Sequence, residues 1–94
     1  MEKYTIEEGI KIIAKSKNYT EEFVKEYLIN SGFMWFNQKQ HILLPYKKYC
    51  KSMLKNTKIK HKIFYVILDE DFEATYYISK FGIKYIFKHI DDVE

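Results

Sequence analysis

A small α+β domain is what this sequence predicts, and three features predict it. Two short amphipathic helical stretches fill its first third, apolar spacing changes to two across residues 58–78, and a last helical pattern closes it. Ninety-four residues suffice for one core and not for two, so residues 1–94 are read as a single domain. Apolar residues make up 47% and aromatic residues 18%, enough to fill that core and to set aside a disordered arm.

Thr5 with Glu8 forms a capping-box pair, because the hydroxyl can accept from a free amide of the first turn while the carboxylate reaches back. A first helix is expected from there to about Lys15, with Ile6, Ile10, Ile13 and Ala14 on its apolar face. Asn18 tolerates a left-handed backbone and marks the turn. Thr20 caps a second helix with Glu21 and Glu22 in its first turn, where the helix dipole favours negative charge. Phe23, Val24, Tyr27 and Leu28 are its expected buried face, Tyr19 and Val24 its hydrophobic staple, and Gly32 its stop.

Residues 33–36 and 41–44 read as a short hairpin around the polar turn 37–40. Pro45 suits the first position of a helix, so Tyr46 to about Leu54 is expected to be helical, with Lys47, Lys51 and Lys55 striping its outer face. Residues 61–68 and 72–78 form a second hairpin around the charged turn 69–71. Ser79 caps a last helix with Phe81, Ile83, Ile86, Phe87 and Ile90 inward, and Asp91, Asp92 and Glu94 oppose its dipole and fray. Two helices on a tight turn, a third helix and a two-stranded hairpin describe a winged helix-turn-helix of three to four helices, its wing in the C-terminal half. Ala14, Asn18 four residues on and Val24 six beyond that fit the helix-turn-helix spacing.

Charge is distributed unevenly along this framework. Residues 27–68 hold eight lysines and no acid, whereas residues 1–26 sum to −1 and residues 69–94 to −4, giving the net +3. A polyanion feels that local excess rather than the average. All sixteen basic residues are lysine, so anion contacts would be point-charge contacts that tolerate sequence rather than read it. Lys39, Lys47, Lys48, Lys51, Lys55, Lys58, Lys60 and Lys62 are the candidate nucleic-acid contacts, for DNA or RNA, with Tyr46 or Tyr65 stacking on bases. The outward positions of the second helix, Glu21, Glu22, Lys25, Glu26 and Ile29, oppose its entry into a groove of DNA.

The phrase Leu44-Pro45-Tyr46-Lys47-Lys48-Tyr49 and the closing Ile78-Ser79-Lys80-Phe81-Gly82-Ile83-Lys84-Tyr85-Ile86, behind two N-terminal helices, resemble the C-terminal domain of phage antirepressors of the KilA-C type. Ser79 stands where that family usually has threonine, while Gly82 and Ile86 match. The resemblance implies a phage or prophage setting in the cytoplasm of a bacterial host, a winged-helix fold that binds DNA, and a role in transcriptional or antirepressor control.

A second reading, from a different class, is a phage-encoded inhibitor of a host protein, such as an anti-CRISPR or other anti-defence factor. Its motives are the acidic second helix and the run Phe33, Met34, Trp35, Phe36, of which one strand face covers only alternate members. Phe33, Trp35, Phe36 and Tyr65 are the candidate partner-binding residues, and a homodimer is one way to cover them. Catalysis finds no constellation: His41, His61 and His89 lack ligand spacing with the single Cys50, and the glycines at 9, 32 and 82 are too dispersed for a phosphate loop. Neither an enzymatic function, a cofactor, a metal nor a small-molecule substrate is therefore expected. Membrane insertion is not expected either, since no apolar run reaches the length of a span and the N-terminus lacks a signal-peptide core.

Overall fold

The computed structural model describes residues 3–52, 63–68, 70–71 and 73–92, with backbone alone for Lys51, Ser52 and Asp92. Strand β1 (Lys3–Thr5) leads directly into helix α1 (Ile6–Lys17), followed by α2 (Glu21–Asn30). The capping box at Thr5 forms in full: its hydroxyl accepts from the Glu8 amide at 3.1 Å and the Glu8 carboxylate accepts from the Thr5 amide at 3.3 Å. Asn18 takes the left-handed conformation at φ 60°, which closes α1 and turns the chain into Thr20. The Thr20 hydroxyl then accepts from the Phe23 amide at 3.1 Å and starts α2. Gly32, at φ 82°, ends α2 as expected.

Val24, Tyr27 and Leu28 are buried on α2, but Phe23 is exposed. Adjacent helical residues lie about 100° apart, so a stripe centred on Val24 and Leu28 turns Phe23 to its edge. There it lies against the Tyr19 ring, centroids 4.5 Å apart.

The first hairpin is β2 (Met34–Asn37) with β3 (Ile42–Pro45), in register Met34 with Pro45 and Asn37 with Ile42. The Asn37 side-chain oxygen Oδ1 accepts from the Lys39 and Gln40 backbone amides, and His41 completes the reversal at φ 56°.

Over its described part, residues 46–52, the helix expected at 46–54 does not form. Tyr46 stays extended and its amide donates to the Phe33 carbonyl at 3.1 Å, prolonging the hairpin. One 3₁₀ turn (Lys47–Tyr49) follows, then strand β4 (Cys50–Ser52). Residues 46–52 contain no alanine, leucine or glutamate, and a lone helical segment this short is marginal. Parallel pairing of Cys50 to Ser52 with Phe64 to Val66 supplies partners that a helix would not. The stripe Lys47, Lys51, Lys55 is therefore not a helical one; Met53, Leu54 and Lys55 lie outside the described residues. The third helix of the expected winged helix-turn-helix is replaced by a turn and a strand.

β5 (Phe64–Leu68) and β6 (Ala74–Ser79) form the second expected hairpin, and the sheet runs in the order β1, β6, β5, β4. Helix α3 (Lys80–His89) starts from Ser79, whose hydroxyl accepts from the Gly82 amide at 2.8 Å. Its buried stripe is Gly82, Ile86 and, just past its end, Ile90. Phe81 and Phe87, expected inward, flank that stripe and are exposed. The Lys17 ammonium sits over the Phe87 ring, 4.1 Å from its centroid. Asp91 is held rather than frayed, for its carboxylate accepts from Lys17 Nζ and from the Tyr19 hydroxyl, each at 2.5 Å.

One core results, built from α1, α2, α3, the start of the β2 strand and the centre of the sheet. Ile13, Val24, Met34, Phe64 and Ile86 are fully enclosed. Among the described residues, three α-helices and mostly antiparallel strands thus make a small α+β domain. No helix among the described residues is long and apolar enough to cross a membrane.

Candidate nucleic-acid interface

The first hairpin carries the candidate site. Strand alternation puts Trp35 and Phe36 on opposite faces, and the register sets Trp35 beside Leu44. Pro45 ends β3 without an amide to donate, and Tyr46, anchored through its own amide to Phe33, continues along the same edge. The 3₁₀ turn then lifts Lys47 and Lys48 into solvent next to it. Trp35, Tyr46, Lys47 and Lys48 line one open concavity of about 820 Å³, backed by Leu44, Val66 and Tyr76. Trp35 is 38% exposed and Tyr46 43%, so both rings offer surface to a ligand. Among the described residues, no carboxylate lines this concavity. Lys48 Nζ stands 5.0 Å from the Tyr49 ring centroid, a cation–π contact that holds the ammonium close to the aromatic surface.

The remaining sequence-predicted residues divide clearly. Lys39 is exposed at the tip of the β2–β3 turn, away from the concavity. Lys51 lies in β4, described by its backbone, and Lys55, Lys58, Lys60 and Lys62 lie outside the described residues, as do His61, Asp69, Phe72 and Glu94. Two of the four expected partner-binding residues are corrected: Phe33 and Tyr65 are 7% and 5% exposed and belong to the interior. Phe33 precedes β2, so strand alternation does not govern it, and Gly32 turns it inward against Tyr27, Tyr49 and Tyr85. Tyr65 is likewise unavailable to stack on a base. Trp35 and Phe36 remain, and Trp35 joins the lysine surface rather than a separate patch.

Sequence reasoning missed that juxtaposition because it placed Lys47 and Lys48 on a helix. The available signal was Pro45, which can end an edge strand as readily as it can begin a helix. The acidic outer face of α2 is as expected: Glu21, Glu22 and Glu26 are exposed, and Lys25 Nζ lies 4.0 Å from Glu22. His41 is exposed and His89 and Cys50 are half-buried, and no three metal-ligating side chains gather among the described residues. A pair of exposed aromatic faces beside two ammonium groups can stack on bases and neutralise phosphates without reading an edge pattern. Compared with protein-family models, with curated proteins and with solved structures, the chain matches none.

Proposed function

We propose that this chain is a small regulatory domain of the phage antirepressor kind that contacts nucleic acid through Trp35, Tyr46, Lys47 and Lys48, not through α2. The observation that supports the reading is the shared concavity: two exposed rings and two exposed cations, with no acid among the described residues that line it. Single-stranded nucleic acid fits it best, because its unpaired bases can lie flat on Trp35 and Tyr46 while the lysines meet the backbone as point charges.

Trp35 is the only tryptophan in the chain, so its emission reports on this concavity alone. A polythymidine strand of about twelve nucleotides is expected to quench that emission on binding. Affinity should fall between roughly 50 and 200 mM salt, with each lysine that meets a phosphate contributing about 0.7 to the slope of log affinity against log salt. Trp35→Ala should cost about 1–3 kcal/mol of binding, and Lys47→Gln should flatten the slope by about 0.7. Binding that ignores salt, or that leaves Trp35 emission unchanged, removes the reading.

The second reading, a phage-encoded inhibitor of a host protein, is favoured by a different observation. Ile29, Phe36 and Ile42 are 40%, 45% and 45% exposed around one groove beside the acidic α2. Its test is capture of a host protein from lysate before and after nuclease treatment. A partner lost on nuclease treatment counts for the first reading, and one retained and eluted in fixed ratio counts for the second.

A further inference from the structure

The groove beside α2 has a construction that specifies its ligand more closely. It is separate from the lysine concavity, sharing with it only Leu44 and Tyr76, and encloses about 660 Å³. Ile29, Phe36 and Ile42 give it an apolar lining, while among the described residues Glu7, Glu22 and Glu26 stand at its rim against one lysine, Lys25. Lys25 already lies 4.0 Å from Glu22, which leaves the rim net acidic.

One wall is a strand edge. β5 pairs with β6 from Ala74 through Ile78, but on its other side β1 pairs only with Tyr77, Ile78 and Ser79. The chain leaves the strand at Thr5, where the capping box forces α1 to begin. Ala74, Thr75 and Tyr76 therefore present a backbone edge into the groove with no strand paired to it among the described residues. Such an edge offers amides and carbonyls to an incoming extended chain. A segment laid there continues the line of β1, its side chains alternating between the apolar lining and the acidic rim.

We propose that this groove binds an extended segment of a partner protein in which lysine or arginine alternates with apolar residues, added as a strand along Ala74–Tyr76. Charge complementarity selects the cationic character, the lining selects the apolar alternates, and the free edge selects the extended form. The inference rests on the protein-contact reading and supplies its site and ligand class.

The test uses labelled heptapeptide probes and the whole chain, read by fluorescence anisotropy. A peptide of alternating lysine and valine is expected to bind. Versions with glutamate for lysine, with serine for valine, or with N-methyl groups on the backbone edge that pairs should each bind at least about tenfold more weakly. In the protein, Glu22→Gln with Glu26→Gln, and separately Ile42→Ser, should each weaken the lysine–valine peptide by about tenfold while the circular dichroism spectrum stays unchanged. Equal binding of the lysine–serine peptide overturns the proposal as mere charge attraction, and equal binding of the N-methylated peptide overturns the strand geometry. Sedimentation that shows a dimer abolished by Ile42→Ser overturns it in favour of a second copy as occupant. If no peptide binds while a nuclease-resistant partner is still captured by the Ile42→Ser variant, the groove inference fails and the protein-contact reading stands.

Discussion

Gly82 illustrates how one atom can be forbidden. A Cβ there would lie 2.4 Å from the Ile63 carbonyl oxygen, and that oxygen already accepts from the Ser79 amide at 2.9 Å and the Ser79 hydroxyl at 3.2 Å. The carbonyl cannot retreat without losing both bonds and loosening the cap of α3. Gly9 offers a partial contrast: a Cβ there meets the Ile78 Cγ2 methyl, also at 2.4 Å, which can move only if the buried Ile78 turns about χ1, but no backbone hydrogen bond stands in the way and alanine inside α1 regains up to about 1 kcal/mol of helix propensity. We predict that Gly82→Ala lowers unfolding free energy by about 1–3 kcal/mol in urea titrations, and Gly9→Ala by clearly less. An equal or reversed order would show that the backbone at Ile63 yields after all. Ser79→Ala removes an accepting cap and should cost about 1 kcal/mol on the same assay. The spacing Ser79, Gly82, Ile86 thus has a mechanical role at each position: cap, close approach and core. Cap and core were legible from residue type and period. The need for glycine was not, because the carbonyl that imposes it arrives from a distant strand.

At the scale of elements, the helices and both hairpins follow local rules that the sequence displays, and the element that does not is β4. Residues 50–52 are a strand because Phe64–Val66 lie beside them, a long-range fact that overrides the helical start suggested by Pro45. The exposed flanks Phe23, Phe81 and Phe87 have the same origin, since periodicity gives a stripe's direction but its width depends on what packs against it. The junction of α1, α2 and the chain's end makes a prediction in pH. Hydrogen bonds from Lys17 and then Tyr19 hold the Asp91 carboxyl below its ordinary value of 3.8. The bond to Asp91 in turn raises the Tyr19 phenol above its ordinary 10.0. A lowered acid contributes stability that is present above its unfolded value and disappears as pH falls through the folded one. A raised phenol contributes stability that is present below 10.0 and disappears as pH climbs through its folded value. The difference in stability between the wild type and Asp91→Asn should therefore be flat from about pH 5 to 9 and shrink at both ends. A difference that keeps growing toward either extreme would mean that Asp91 acts through something other than these two bonds.

Over the whole molecule, the segregation of charge along the sequence survives folding only in part. Lys47 and Lys48 gather with Trp35 and Tyr46, while Lys39 stands apart at a turn and Lys80, Lys84 and Lys88 are exposed on α3. The sequence revealed the cationic middle but not which of its members would share a surface, since that depended on a hairpin register and a turn in place of a helix. The acids of α2 form the counterpart, and two of them, Glu22 and Glu26, rim a groove that shares a wall with the lysine concavity. Surfaces so close lie within reach of one another's fields, because exposed charges are screened only beyond about 10 Å at 0.1 M salt. Neutralising α2 as Glu21→Gln, Glu22→Gln and Glu26→Gln should then act oppositely on the two ligands: a polythymidine strand binds more tightly as repulsion is relieved, and a lysine–valine peptide binds more weakly as its partners vanish. The gain for the oligonucleotide should be largest at low ionic strength and disappear near 1 M salt, where the screening length falls to about 3 Å. A gain that persists at high salt would place the strand in direct contact with α2, contrary to its assignment to Trp35 and Tyr46. Changes of the same sign for both ligands would mean that the two concavities act as one site.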